Sequence, residues 1–262
     1  MLYPQGKKAQ KQPIGIVTLK DIIKFLIADK TDRDLDEIPI SEVMNKHLIM
    51  AKKDTAITEC AKILTSNNVS SVIIVDDNNN NNNLAGIITS TDFANFFSEN
   101  CIGAASVNDY MSQSLFTVSI KDRASIVAQI MSAKKVSRLI VTDPDNQNTL
   151  AGIVSQTDLS RTIPAFKSRT IRSVYENMEL FFGSKSKPEF VEPSFVRLED
   201  IMTRSTITIE KDADLAEAAK IMIRQGISGL PVVELRNNGV VNAEQPIGII
   251  SKSDIVKALT KE

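Results

Sequence analysis

The sequence predicts an α/β (α+β) fold assembled from tandem repeats, and three observations carry that prediction. One phrase occurs four times: Gly15-Ile-Val-Thr-Leu-Lys-Asp21, Gly86-Ile-Ile-Thr-Ser-Thr-Asp92, Gly152-Ile-Val-Ser-Gln-Thr-Asp158 and Gly248-Ile-Ile-Ser-Lys-Ser-Asp254. Its form is glycine, two β-branched residues, a hydroxyl residue, two variable residues and aspartate. A second mark precedes three of the copies: Met44, Met111 and Met202 each stand 25 residues before Val69, Val136 and Ile227, without a gap. Between those marks the apolar positions coincide. Ile57, Ala124 and Leu215 align, as do Ala61, Ala128 and Ala219, then Leu64, Met131 and Met222. Steps of four and three place each set on one face of a helix. Agreement of this kind decides the architecture before any single element is considered.

Each unit reads in the same order. A short extended stretch (Leu115-Phe-Thr-Val, Thr206-Ile-Thr-Ile) leads into an amphipathic helix such as Asp214 to Gln225. A β-branched strand follows: Ser71 to Val75, Arg138 to Thr142, Leu230 to Val233. A polar turn and the Gly-Ile-Ile strand come next, then a helix opening at or just after the aspartate. Asp near a helix N-terminus has a plain role in satisfying free backbone N–H groups. The asparagine run 78–83 reads as a hairpin tip. From Met to Asp the full copies span 48, 47 and 52 residues, so the first copy, ending at Asp21, carries only its last strand and helix. The units are therefore residues 1–30 (the end of a repeat), 39–100, 106–165 and 195–262, with 166–194 as helix and linker. Within that linker the pattern predicts a helix over about Thr170 to Phe182.

Composition narrows the function. The 262 residues are 42% hydrophobic and 24% charged, as in an ordinary globular protein. Lys plus Arg number 31 against 32 Asp plus Glu, so no overall field recruits nucleic acid or an anionic membrane. Cys60 and Cys101 are isolated and read as core thiols in a reducing compartment. With His47 the sole histidine, a structural zinc site lacks ligands. No apolar run approaches the ~20 residues of a membrane span, and the N-terminus has no signal-peptide stretch. The expectation is a cytoplasmic protein.

Chemistry is equally sparse. His47 has no serine or cysteine arranged about it. Asp76-Asp77 belongs to a turn rather than to an acid/base pair. No phosphate loop of the Gly-x-x-x-x-Gly-Lys-Ser/Thr type exists. Nothing predicts catalysis.

The run Asp200-Ile-Met-Thr … Leu215-Ala-Glu-Ala-Ala-Lys-Ile-Met … Ile227-Ser-Gly-Leu-Pro-Val-Val … Ile247-Gly-Ile-Ile-Ser-Lys-Ser-Asp-Ile255 closely resembles a cystathionine-β-synthase (CBS) domain. Copies two and three match nearly as well, and Ile14 to Phe25 resembles the end of another. The resemblance implies β-α-β-β-α units paired sheet to sheet as pseudo-twofold Bateman modules, with two clefts per pair. Such clefts commonly hold AMP, ADP or ATP, and some hold S-adenosylmethionine. In this family the phrase-ending aspartate accepts hydrogen bonds from ribose hydroxyls. Asp158 and Asp254 match it in the C-terminal pair, Asp92 and Asp21 in the N-terminal one. The hydroxyl residue three positions earlier (Thr18, Thr89, Ser155, Ser251) is placed to reach a phosphate or ribose oxygen. The residue before the aspartate (Thr91, Thr157, Ser253) matches an auxiliary contact, from which Lys20 departs.

Arg138 aligns with Ser71 and Gly229, so the repeat does not demand an arginine there. A guanidinium suits phosphate through paired donors, and a similar basic residue contacts phosphate in the nucleotide-sensing subunit of AMP-activated protein kinase. An exposed salt bridge is the competing role. Ser137 and Ser228 leave room for adenine; Thr117 and Thr208 could reach the base edge. The resemblance thus implies a non-catalytic regulatory protein with an adenine nucleotide as regulatory ligand, signalling to a protein partner not encoded in the chain. The rival readings are a ligand-free assembly scaffold docking through 160–194, an S-adenosylmethionine binder, or a nucleic-acid binder, the last disfavoured by the neutral charge. Because copy two faces only half a partner, Val72, Ile74 and Ile87 are expected to be poorly covered, favouring a homodimer.

Overall fold

The computed structural model describes residues 12–28, 31, 33, 35–76, 82–145, 149–160, 196–237 and 242–261. The expected helix over 170–182 and the docking segment 160–194 lie outside these, apart from residue 160. The first copy contributes α1 (Leu19–Ala28). Copy two comprises α2 (Ile40–Val43), β1 (Met50–Lys52), α3 (Ile57–Asn67), β2 (Ser71–Asp76), β3 (Asn83–Thr89) and α4 (Ser90–Asn100). Copy three repeats the order with α5 (Val107–Tyr110), β4 (Thr117–Ser119), α6 (Ala124–Lys134), β5 (Arg138–Asp143) and β6 (Thr149–Ser155), followed by a helical turn over 156–160. Copy four is α7 (Leu198–Ile201), β7 (Ile209–Glu210), α8 (Leu215–Arg224), β8 (Gly229–Asn237), β9 (Asn242–Ser251) and α9 (Lys252–Ala258).

Each full copy builds one three-stranded sheet in chain order, its first pair parallel and its second antiparallel. The bulge recurs at one place: Ala85, Ala151 and Ile247 are the extra residues, each just before the phrase glycine. A bulge there turns the strand toward the following helix.

The helices open earlier than expected. Thr89 and Ser251, not the aspartates, are the N-caps, and Asp92 and Asp254 sit three residues on in a capping box. In all four phrases one aspartate oxygen accepts the backbone N–H and the hydroxyl of the same Thr or Ser. The hydroxyl-x-x-Asp spacing is what that reciprocal bond requires.

Two cores form. One merges copies two and four: Leu64, Phe93, Ala94 and Phe97 pack with Leu215, Ala219, Met222, Ile255 and Leu259. The other holds copy three with Leu198 and Met202 of copy four. Met131 and Met222 fill these cores as their helical spacing predicts, and Cys60 is buried. Val72, expected to be poorly covered, is instead fully buried in the merged core, with Ile74 packed beside it. Ile87 stands opposite Ile73, on the other face of the sheet, and is 54% exposed. Alternate residues of a strand face opposite ways, which separates the two fates.

Copies three and four are locked by reciprocal turns. Ile153 exchanges backbone hydrogen bonds with Thr203, and Ile249 with Ser112. A Cβ on Gly152 would fall 2.4 Å from the Thr203 carbonyl oxygen. Gly152→Ala should therefore cost about 1–3 kcal/mol by overpacking, whereas Gly86→Ala, whose Cβ meets nothing within 4 Å, should be neutral. Parallel thermal melts test this; equal midpoints would mean that the turn does not sit on Gly152.

Candidate functional site

A cleft of about 430 Å³ opens between copies three and four, within the size of small-molecule sites. From copy three it gathers Ser137, Arg138, Ser155, Thr157 and Asp158; from copy four come Ser228 and Gly229, with the Thr203 to Ile207 stretch beside them. Five of these are side chains that the phrase and strand positions predict, together with Ser228. Asp158 is 7% exposed, and its carboxylate accepts from Ser155 N and Oγ at 2.8 and 2.7 Å.

Arg138 reaches across the pair. Its Nη1 donates to the carbonyl of Ser228, and a Cβ on Gly229 would occupy the guanidinium's place. Glycine at the position aligned with Arg138 is thus what admits the arginine. Neither the salt bridge nor any other carboxylate contact forms: among the described residues Arg138 has no ion pair. Burial pushes its guanidinium down to about 10, with the Asp254 charge opposing. Arg138 is partly buried, and a cation with part of its hydration removed favours whatever anion can reach it.

Lys252 escaped sequence reasoning. It is a variable position of the phrase, yet it is only 7% exposed, and its Nζ donates to Thr91 Oγ1 of copy two at 3.1 Å. Its ammonium is pushed below the usual lysine range, first by burial and then by Arg138, with Asp92 opposing. Two cations and the phrase aspartates of copies two and four therefore meet where the modules join.

The remaining expected residues lie elsewhere. Asp254, Ser251 and Ser253 open α9, with Asp254 Oδ1 accepting from Lys257 at 2.7 Å. Thr208 turns to Glu244 at 3.3 Å, Thr117 is exposed on β4, and neither lines this cleft. Thr89 and Asp92 cap α4, Thr91 lies in its first turn with its Oγ1 accepting from Lys252, and Thr18 and Asp21 cap α1. Thr206, Ile207, Gln225 and Leu19 line the cleft without having been singled out. For Leu19 no local signal exists, because it arrives from copy one.

The family model for the CBS domain matches residues 40–99, 107–165 and 198–261. The chain belongs to the CBS-domain family. Its CBS repeats are similar to those of MJ1225, an uncharacterised protein of Methanocaldococcus jannaschii, at 26% identity over 252 residues, covering 91% of this chain and 83% of that protein. The crystal structure of MJ1225, described as a candidate archaeal homologue of γ-AMPK, superposes with a TM-score of 0.71 over 95% of this chain and 84% of the other. An uncharacterised conserved protein from Pyrococcus horikoshii shares the CBS fold at 20% identity, TM-score 0.62, over 95% and 86% of the two chains. The β-α-β-β-α repeats and their pairing are thus those of tandem CBS domains. Among the described residues no helix is long and apolar enough to cross a membrane, and no cluster of His, Cys, Asp or Glu could hold a metal ion.

Proposed function

We propose that this protein is a non-catalytic regulatory CBS protein that binds AMP, ADP or ATP in the cleft between copies three and four. The observation that carries the reading is Arg138, a partly buried cation with no ion pair among the described residues, in the same cleft as Asp158. The pair suits a ligand with a cis-diol at one end and phosphate at the other: a carboxylate accepts from hydroxyls, as in dinucleotide-binding folds, and a guanidinium donates to phosphate oxygens. The likeness to MJ1225, described as a candidate archaeal homologue of γ-AMPK, supports the regulatory reading. Regulation follows if the ligand favours one arrangement of the paired copies over another, so that occupancy is passed to a protein partner.

A thermal-shift panel with AMP, ADP, ATP, GTP and S-adenosylmethionine tests the reading. Ligand at a hundredfold excess over its Kd should add ~2.7 kcal/mol of stability. No shift with any of them at millimolar concentration would leave the ligand-free scaffold as the better account. A shift with S-adenosylmethionine alone would move the site to that ligand class.

Lys252 gives a separate expectation. Removing a buried charge relieves desolvation, so Lys252→Met should raise the melting temperature of the free protein. It should also weaken ATP binding, since a positive charge close enough to act on Arg138 is lost. A variant that melts lower and binds ATP unchanged would show that Lys252 serves only to join the modules.

A further inference from the structure

Lys252 holds the first variable position of its phrase, where the other copies carry Leu19, Ser90 and Gln156. The repeat therefore does not ask for a cation there. The residue opens α9, and its main-chain N–H donates to the Ser228 carbonyl at 3.2 Å. Arg138 Nη1 donates to that same oxygen, so a single carbonyl separates the lysine backbone from the guanidinium. Arg138 lines the cleft that contains Asp158, and Lys252 stands beside it, near enough for the two charges to act on each other. An exposure of 7% leaves Lys252 little water. Its Nζ donates at 3.1 Å to an uncharged acceptor, Thr91 Oγ1, in the first turn of α4 in copy two. Asp158, Arg138 and Lys252 thus follow one another, a carboxylate and then two cations, from the cleft to the junction with copy two.

We propose that Lys252 reads the length of the phosphate chain: it binds the phosphates of ATP beyond the first, does not touch AMP, and lets go of Thr91 when it binds. The proposal rests on the nucleotide reading above and adds to it the residue that separates ATP from AMP. With the ribose hydroxyls on Asp158 and the first phosphate on Arg138, a longer phosphate chain extends toward the next cation in line. A lysine suits that place, since its ammonium is a point charge on a flexible four-carbon stem. Hydrogen bonds between ionised partners are roughly twice as strong as neutral ones, so a phosphate oxygen outcompetes the Thr91 hydroxyl. The repulsion between Lys252 and Arg138 is also offset once an anion lies between them. AMP stops at Arg138 and leaves the bond from Lys252 to Thr91 in place. ATP breaks it, and the start of α4 in copy two feels the difference, so the two ligands favour different states of the junction.

Calorimetry with AMP and ATP on the full chain tests this, scoring the binding that depends on Asp158. Lys252→Met is expected to lower ATP affinity about tenfold, the worth of one hydrogen bond to a charged group, and to spare AMP. Thr91→Val should act in the opposite sense and tighten ATP alone, because the ammonium then leaves no hydroxyl behind. Hydrogen exchange at residues 90–94 should quicken with ATP and not with AMP. Equal losses of AMP and ATP in Lys252→Met, or an ATP affinity that Thr91→Val leaves unchanged, would overturn the role given to Lys252 while the cleft reading stands. A chain with no Asp158-dependent nucleotide binding would remove both.

Discussion

Asp158→Ala is expected to weaken nucleotide binding on the order of a hundredfold. A hydrogen bond to a charged group is worth ~1.5–3 kcal/mol, and each ~1.4 kcal/mol is a factor of ten, so losing two ribose contacts reaches that range even after partial compensation by water. The fold should survive with a loss of about 1 kcal/mol, the usual worth of a capping interaction, because Asp158 also accepts from Ser155. Arg138→Ala should behave differently. It should reduce affinity for ATP and AMP and spare adenosine, since only the phosphate contact goes. Gly229→Ala offers a second route to the same result, as its methyl would displace the Arg138 guanidinium from the Ser228 carbonyl. Calorimetry with all three ligands separates these roles. Unchanged affinity in Asp158→Ala would remove the ribose assignment, and equal losses for adenosine and ATP in Arg138→Ala would remove the phosphate assignment.

Phe93→Ala should be among the most destabilising substitutions. Phe93 is fully buried between the helices of copies two and four, in the merged core with Leu215 and Ile255. Truncating a buried phenylalanine costs about 3–5 kcal/mol, from lost transfer energy plus the cavity left behind. At ~2–4 °C per kcal/mol for a chain of this size, the melting midpoint should fall by roughly 6–20 °C. Scanning calorimetry should also reveal loss of cooperativity between modules, because the residue belongs to both. A fall of less than about 1 kcal/mol would show that copies two and four do not share this core in solution.

Much of the fold was legible because the repeat states each element more than once. The helix expected at Asp214 to Gln225 forms at Leu215–Arg224, capped by Asp214, and the β-branched strands start where expected or one residue earlier. Short first strands were less legible: Thr117–Ser119 and Ile209–Glu210 begin two to three residues later than the extended stretches suggest. Two or three residues hold too few period-two positions to fix an edge. Helix starts were misplaced for a related reason. Aspartate is read as a cap, whereas the hydroxyl residue three positions earlier takes that place.

By itself the sequence determined the repeat, its elements and the identity of the aspartates and hydroxyls that recur in register. These are local facts, set by side-chain period and by hydrogen bonds spanning three residues. The tertiary structure alone decided which copies share a core, that Gly229 makes room for Arg138, and that Lys252 reaches Thr91 across 161 residues. Those depend on how one copy is placed against another. No periodicity within a copy encodes that placement; it follows from the summed burial of faces that meet only after the chain has folded.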